Sequence, residues 1–192
     1  MDPADSIART AFQIERIGRL MRAREGEAGL NPAQWEALRY LGRANRFSRW
    51  PSAVAEFLAA TKGTVSQTLI ALESKGYVSK SVSKTDRRSA LIEVTDAGWD
   101  LLERDDPMAH LLSALADLPP LHATLMAQAL SRVLGAMLER NNRRVFAVCM
   151  SCRNFVRDVR VDRTEPAHQC RRFDAPLATA EAELICVEHE AA

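Results

Sequence analysis

Four cysteines, Cys149, Cys152, Cys170 and Cys186, stand in the last stretch of this chain, and the first 148 residues contain none. Their spacing is C-x2-C-x17-C-x15-C. A C-x2-C pair turns two thiolates onto one knuckle, and two sulfurs arriving from later segments can complete a tetrahedron around a metal ion. His168 and His189 lie close to Cys170 and Cys186 and could replace a sulfur or hydrogen-bond to one. A zinc ribbon carries a second C-x2-C knuckle, which is missing here, so the pattern predicts a metal without fixing which. Zinc is favoured. An iron–sulfur cluster, also held by four scattered cysteines, is the alternative. Metal-free thiols switching through a Cys149–Cys152 disulfide are the third reading. The tail has few large apolar residues, and so small a unit needs a staple.

A second set of reactive groups lies between Pro51 and Thr95. Lys62, Thr64, Ser66, Gln67 and Thr68 are basic or hydrogen-bonding types suited to phosphates and base edges. They are expected near the start of a helix whose other side carries Val65, Leu69 and Leu72. A shorter helix, capped by Ser52 and bearing Val54, Ala55, Leu58 and Ala59, precedes it, with the break at Thr61 or Gly63 and the restart at Thr64. Gly76 sits where a helix stop needs positive φ. The period then changes to two, predicting strands over 77–82 and 90–94. Their connection holds Lys84, Arg87 and Arg88, cations suited to a narrow minor groove, with Asp86 placed to orient an arginine. From Arg46 to Thr95 eight Lys/Arg face four Asp/Glu, a local +4 in a chain of net +1. The surplus falls where phosphate contacts would need it.

The segments LNPAQWEALRYL, SAVAEFLAATKGTVSQTLIALESKGYV and TDRRSALIEVTDAGWDLL, in this order, resemble the winged-helix repressors of the MarR family. The resemblance spans about residues 5 to 140. It implies a mainly α (α+β) fold: support and dimerisation helices over 5–44, a winged helix-turn-helix over 45–100, and further dimerisation helices over 101–145. The cysteine-rich tail over 146–192 departs from the family pattern. The resemblance further implies a homodimer bound to double-stranded DNA at an inverted-repeat operator, and a small-molecule inducer beside the second helix. The function so implied is transcriptional regulation, most simply repression.

The flanking elements are expected to serve that dimer. Over 5–24, Ile7, Ala11, Ile14, Ile17, Leu20 and Met21 repeat at helical spacing. Asn31 and Pro32 form a helix start, with Trp35, Leu38 and Leu41 facing inward and Trp35 read as core. Pro107 should interrupt the helix leaving the wing, and Leu111, Leu112, Leu115 and Leu118 follow as an apolar stripe. Pro120 opens a helix to about Arg144 whose apolar face has no partner in a domain this size, as a dimer seam would. His110 and His122 are read as solvent-facing or core histidines. In the tail, nine arginines over 140–172 precede an end, 173–192, with five acids and no Lys or Arg, so the end is expected to fold back on the basic part. The weaker expectation is DNA-backbone contact by Arg153, Arg157, Arg160 and Arg163.

Other classes fare poorly. No 18-residue apolar run predicts a membrane span, and MDPADSIART lacks the basic start and apolar core of a secretion signal, which points to the cytoplasm and reduced thiols. No H-x-E precedes a P-C-x-x-C, no H-E-x-x-H can fit after His189, and neither a glycine-rich phosphate loop nor a G-x-S-x-G elbow occurs. A metal hydrolase or a pure protein-interaction module are the remote alternatives, and the chain is not expected to be an enzyme.

Overall fold

The computed structural model describes residues 2–24, 29–82, 90–157 and 167–192. Helix α1 (Pro3–Arg24) is followed by α2 (Pro32–Arg43), α3 (Pro51–Phe57) and α4 (Lys62–Ser74). Strands β1 (Val78–Val82) and β2 (Ala90–Val94) pair antiparallel, Lys80 opposite Ile92. Helices α5 (Asp96–Arg104), α6 (Met108–Ala116) and α7 (Pro120–Arg140) come next.

Local chemistry sets most of these boundaries. Asn31 caps α2 by accepting from the Gln34 backbone N–H at 2.9 Å, and the Gln34 side chain accepts from Asn31 in return. Two otherwise unpaired donors are thereby satisfied. Gly76, at φ +79°, ends α4, and the Thr95 hydroxyl donates to its carbonyl at 2.6 Å. Pro107 falls in the gap between α5 and α6, as expected. Two starts differ from expectation. The cap of α3 is Trp50, without a side-chain bond, because Pro51 at the first helical position already removes one donor that would need a partner. Helix α4 begins at Lys62 rather than Thr64, since the Thr61 hydroxyl accepts from the Thr64 N–H at 3.2 Å and the cap lies three residues before that donor. Helix α7 ends at Arg140, four residues earlier than expected.

The core lies where α2, α3, α4 and the strand pair meet. Trp35, Leu38, Leu41, Val54, Leu72 and Ile92 are wholly buried, each worth about 1.5–3 kcal/mol relative to exposure for the aliphatic members. Trp35 is thus a core aromatic, as its spacing implied. Helices α6 and α7 contain no buried residue in the single chain.

The tail forms its own small sheets. β3 (Ala147–Val148) pairs with β7 (Ile185–Cys186), while β4 (Phe155–Val156), β5 (His168–Cys170) and β6 (Ala175–Leu177) make a three-stranded meander. A 3-10 turn (Cys149–Ser151) follows β3, and the short helix α8 (Thr179–Ala182) precedes β7. The tail packs into the main domain: Phe146, Ile185 and Val187 join the main core, while Phe47 of the α2–α3 turn joins the tail's cluster with Leu177, Cys149 and Cys186.

Candidate nucleic-acid interface and cysteine cluster

Helix α4 has two faces. Val65, Leu69 and Leu72 are buried, and Lys62, Thr64, Ser66 and Gln67 are exposed on the outer side. Thr68 turns inward: it is 9% exposed, and its hydroxyl donates to the Thr64 carbonyl at 3.0 Å. It stands three residues after Val65 and four before Leu72, a spacing that puts it on their face. Ile70 was missed by the sequence reading. It is 47% exposed, shares the outer face with Ser66 and Gln67, and offers the apolar surface that a thymine methyl contacts. Its signal was the i, i+3, i+4 spacing from those two residues.

The strand pair is fixed to this helix at both ends. Lys80 on β1 pairs with Glu73 of α4 at 3.0 Å. The Ile92 N–H on β2 donates to the Arg49 carbonyl at 2.9 Å, so the strand pair hangs on the α2–α3 turn. Lys84, Asp86, Arg87 and Arg88 lie outside the described residues.

The tail brings all four cysteines to one cavity of about 10 Å³, whose walls also include Asn45, Asn154, Phe155 and Leu177. All four are free thiols. The C-x2-C segment closes as a tight turn, with the Cys152 N–H donating to the Cys149 carbonyl at 2.9 Å. Cys170 arrives on β5 opposite Phe155, and Cys186 on β7 opposite Ala147. Among the described residues no group of three or more His, Cys, Asp or Glu side chains stands in a metal-holding arrangement. Asn45 Nδ2 donates to Cys149 Sγ at 3.3 Å, and Asn154 Nδ2 is buried with no hydrogen-bond partner among the described residues. The Cys149 thiol is pushed up to about 11, chiefly by burial. The Asn45 bond pulls the other way, and the neighbouring Cys186, Cys170 and Cys152 push further up. Tyr40 is likewise raised above its ordinary value, by burial and then by Cys186. Neither histidine lines the cavity. His168 packs on Phe155 with ring centroids 5.0 Å apart, and the His189 Nε2 meets the Ser151 hydroxyl at 3.0 Å.

The acidic end folds back on basic residues, as its composition suggested. Arg172 pairs with Glu188 and, at 3.1 Å, with Glu190; Arg144 reaches Glu188 at 3.2 Å and Arg153 reaches Glu190 at 3.6 Å. Arg157 lies over the Phe155 ring, and Arg160 and Arg163 lie outside the described residues.

The MarR family profile matches residues 28–89, the stretch holding α2, α3, α4 and most of the strand pair. This region is a MarR-family winged helix. Solved structures of similar fold include a MarR transcriptional regulator from Methanosarcina mazei Go1, at 19% identity and TM-score 0.57 over 70% of this chain and 98% of that one. S. aureus MepR in its DNA-binding conformation matches at 22% identity and TM-score 0.58, over 67% and 98%. Streptococcus pneumoniae FabT in complex with DNA matches at 20% identity and TM-score 0.54, over 71% and 96%. These likenesses establish the fold. Comparison with curated proteins gives no significant match.

In the MarR-type domain the outlying helices carry large apolar side chains into solvent. Ile7, Phe12 and Leu20 on α1 are 60–72% exposed, and Leu121, Leu134 and Met137 on α7 are 56–67% exposed. A cavity of about 390 Å³ opens beside α2, with Tyr40, Phe57, Leu58 and Met108 among its walls and the cations Arg39 and Arg43 at its edge. His110 and His122 are exposed. No helix among the described residues is long and apolar enough to cross a membrane.

Proposed function

We propose that this protein is a homodimeric, sequence-specific DNA-binding transcription regulator of the MarR type, acting as a repressor in the cytoplasm. One observation carries the reading: Lys62, Thr64, Ser66, Gln67 and Ile70 are exposed on one face of α4 while its opposite face is locked into the core. That arrangement presents a rigid helix to a major groove, with Lys62 for phosphate and Ser66 and Gln67 for base edges. Lys84, Arg87 and Arg88 at the wing tip would add phosphate and minor-groove contacts. MepR and FabT, which share the fold, are described in a DNA-binding conformation and bound to DNA respectively. Pairing two chains through the apolar faces of α1 and α7 would cover the exposed side chains. It would set two recognition helices about one DNA turn apart and make the operator an inverted repeat. The cavity beside α2 has the volume of a small-molecule site and is the place for an inducer.

The tail is read as a metal-binding appendage with Cys149, Cys152, Cys170 and Cys186 as ligands. Its support is the convergence of four sulfurs from separate segments on one cavity. Zinc is favoured over an iron–sulfur cluster because a cavity of about 10 Å³ has room for a single atom-sized occupant. Four thiolates also leave no open position for substrate, so the metal is not catalytic.

The test of the DNA reading is selection of bound duplexes from random sequence, followed by gel shift. An inverted repeat bound by the wild type and lost with Gln67→Ala and Lys62→Ala together supports it. No enrichment of any sequence would overturn it.

A further inference from the structure

The cysteine cavity does not belong to the tail alone. Asn45, at the end of α2, is wholly buried, and every polar atom of its side chain is used. Nδ2 donates to Cys149 Sγ at 3.3 Å, and Oδ1 accepts from the Phe47 N–H at 3.1 Å and the Ser48 hydroxyl at 2.8 Å. Ser48 Oγ accepts in turn from the Val187 N–H of the tail at 2.9 Å, and the Asn45 N–H donates to the Ile185 carbonyl at 2.9 Å. Beside Ser48, the Arg49 carbonyl holds the Ile92 N–H of the wing. A short run of contacts therefore joins Cys149 to Asn45, to the 45–49 turn and to β2. Phe47 stacks on Phe173 of the tail, centroids 4.2 Å apart and 8° from parallel, and Arg46 pairs with Glu181 at 2.7 Å. The turn is gripped from the tail side at four points and from the wing side at one.

We propose that a single divalent cation on the four tail thiolates controls DNA affinity, and that Asn45 is the positioning residue that carries the effect to the wing. This rests on the metal reading of the tail and on the DNA reading of the winged helix. On binding, four thiols release four protons to solvent, and each sulfur gives a lone pair to the ion. The centre so formed carries net charge −2. Such a centre is stabilised by N–H donors around its sulfurs, and the cavity supplies two buried amides, Asn45 Nδ2 and the otherwise unpartnered Asn154 Nδ2. With the ion present, the Asn45–Cys149 bond is charge-assisted and short-lived fluctuations of the turn are suppressed. With the ion gone, the acceptor is a neutral thiol, a weak partner. Asn45 then loses its anchor, and the turn that holds Ile92 loosens. An ion sealed in the tail as a local staple would need no donor from the DNA-binding domain.

The experiment compares zinc-loaded and chelator-stripped full-length dimer, both reduced, in three measurements. These are zinc per chain, affinity for the selected duplex, and hydrogen exchange over 45–50 and 90–94. The variant Asn45→Asp keeps the acceptor for Phe47 and Ser48 and deletes the donor to Cys149. The wild type is expected to bind about one zinc per chain. On stripping, it should lose DNA affinity by roughly 5- to 150-fold and exchange faster over both segments. Asn45→Asp should still bind zinc yet show little difference between the two states. Unchanged affinity and unchanged exchange in zinc-binding wild type would overturn the coupling and leave the ion as a staple. A chain that takes up no zinc would overturn both the metal reading and this inference. If exchange responds to zinc but no duplex binds in either state, the link from metal to wing stands and the DNA reading falls.

Discussion

Asn45 and Cys149 meet across 104 positions of chain, the asparagine Nδ2 donating to the cysteine Sγ at 3.3 Å. The same asparagine accepts two hydrogen bonds that shape the turn between α2 and α3. Asn45→Ala should therefore leave the Phe47 N–H and the Ser48 hydroxyl without their acceptor. The expected loss of stability is about 1–3 kcal/mol, read as a lower urea midpoint at unchanged slope. A midpoint within error of wild type would mean that the turn holds itself.

On the outer face of α4, Gln67→Ala and Lys62→Ala should fail differently. Removing Gln67 should cost about 1–3 kcal/mol of binding and relax sequence preference at one position in each half-site. Removing Lys62 should weaken all duplexes alike and reduce the slope of log K against log salt by about one. Equal effects of both on specificity would assign Lys62 a base contact.

Leu134 is 58% exposed on α7 in the single chain. Leu134→Glu puts a charge into the proposed seam and should yield monomers at micromolar concentration by sedimentation equilibrium. DNA affinity should fall, because one recognition helix alone reaches one half-site. Dimers that persist would place the seam elsewhere.

Gly98 lies one turn into α5, against the segment that enters the wing. A Cβ added there would sit 2.2 Å from the Tyr77 carbonyl oxygen and 2.8 Å from a Val94 methyl. Backbone cannot yield cheaply, so Gly98→Ala should cost about 1–3 kcal/mol despite better helix propensity. Thermal unfolding measures it, and a raised Tm would contradict the close approach.

Alkaline pH should destabilise the metal-free protein. The folded-state Cys149 thiol titrates near 11 against an ordinary 9.0. The unfolded chain thus releases this proton first as pH rises, and stability present below pH 9 is lost between 9 and about 11. The size is on the order of 2 kcal/mol, and raised Tyr40 acts in the same direction above pH 10. With an ion on the sulfurs no thiol proton remains and this loss should vanish. Urea unfolding at pH 8 and 10.5, with chelator and with zinc, separates the two cases.

How far these features were legible follows from the distance over which each is decided. The Asn31–Pro32 start, the Gly76 stop and the change of period after it depend on neighbours within four residues, and all three stand as read. Thr68 was legible too, since its spacing from Val65 and Leu72 already assigned it to the packed face. The Ser52 cap failed because Pro51 and Ser52 each offer a helix start, and only the path of the chain out of the Ala44–Trp50 turn selects between them. Nothing around Asn45 or Ser48 in sequence marks either as special, because their partners come from 104 and 139 positions away.

The sequence by itself determined the winged helix, since period, caps and turn residues are short-range properties of the chain. It also determined that four sulfurs were available and confined to one end. Only the tertiary structure decided that those sulfurs share one cavity, that the histidines beside them do not line it, and that the tail is built onto the α2–α3 turn. The reason is physical: hydrogen bonds and packing between distant segments depend on where the backbone brings them, and no local pattern encodes that meeting.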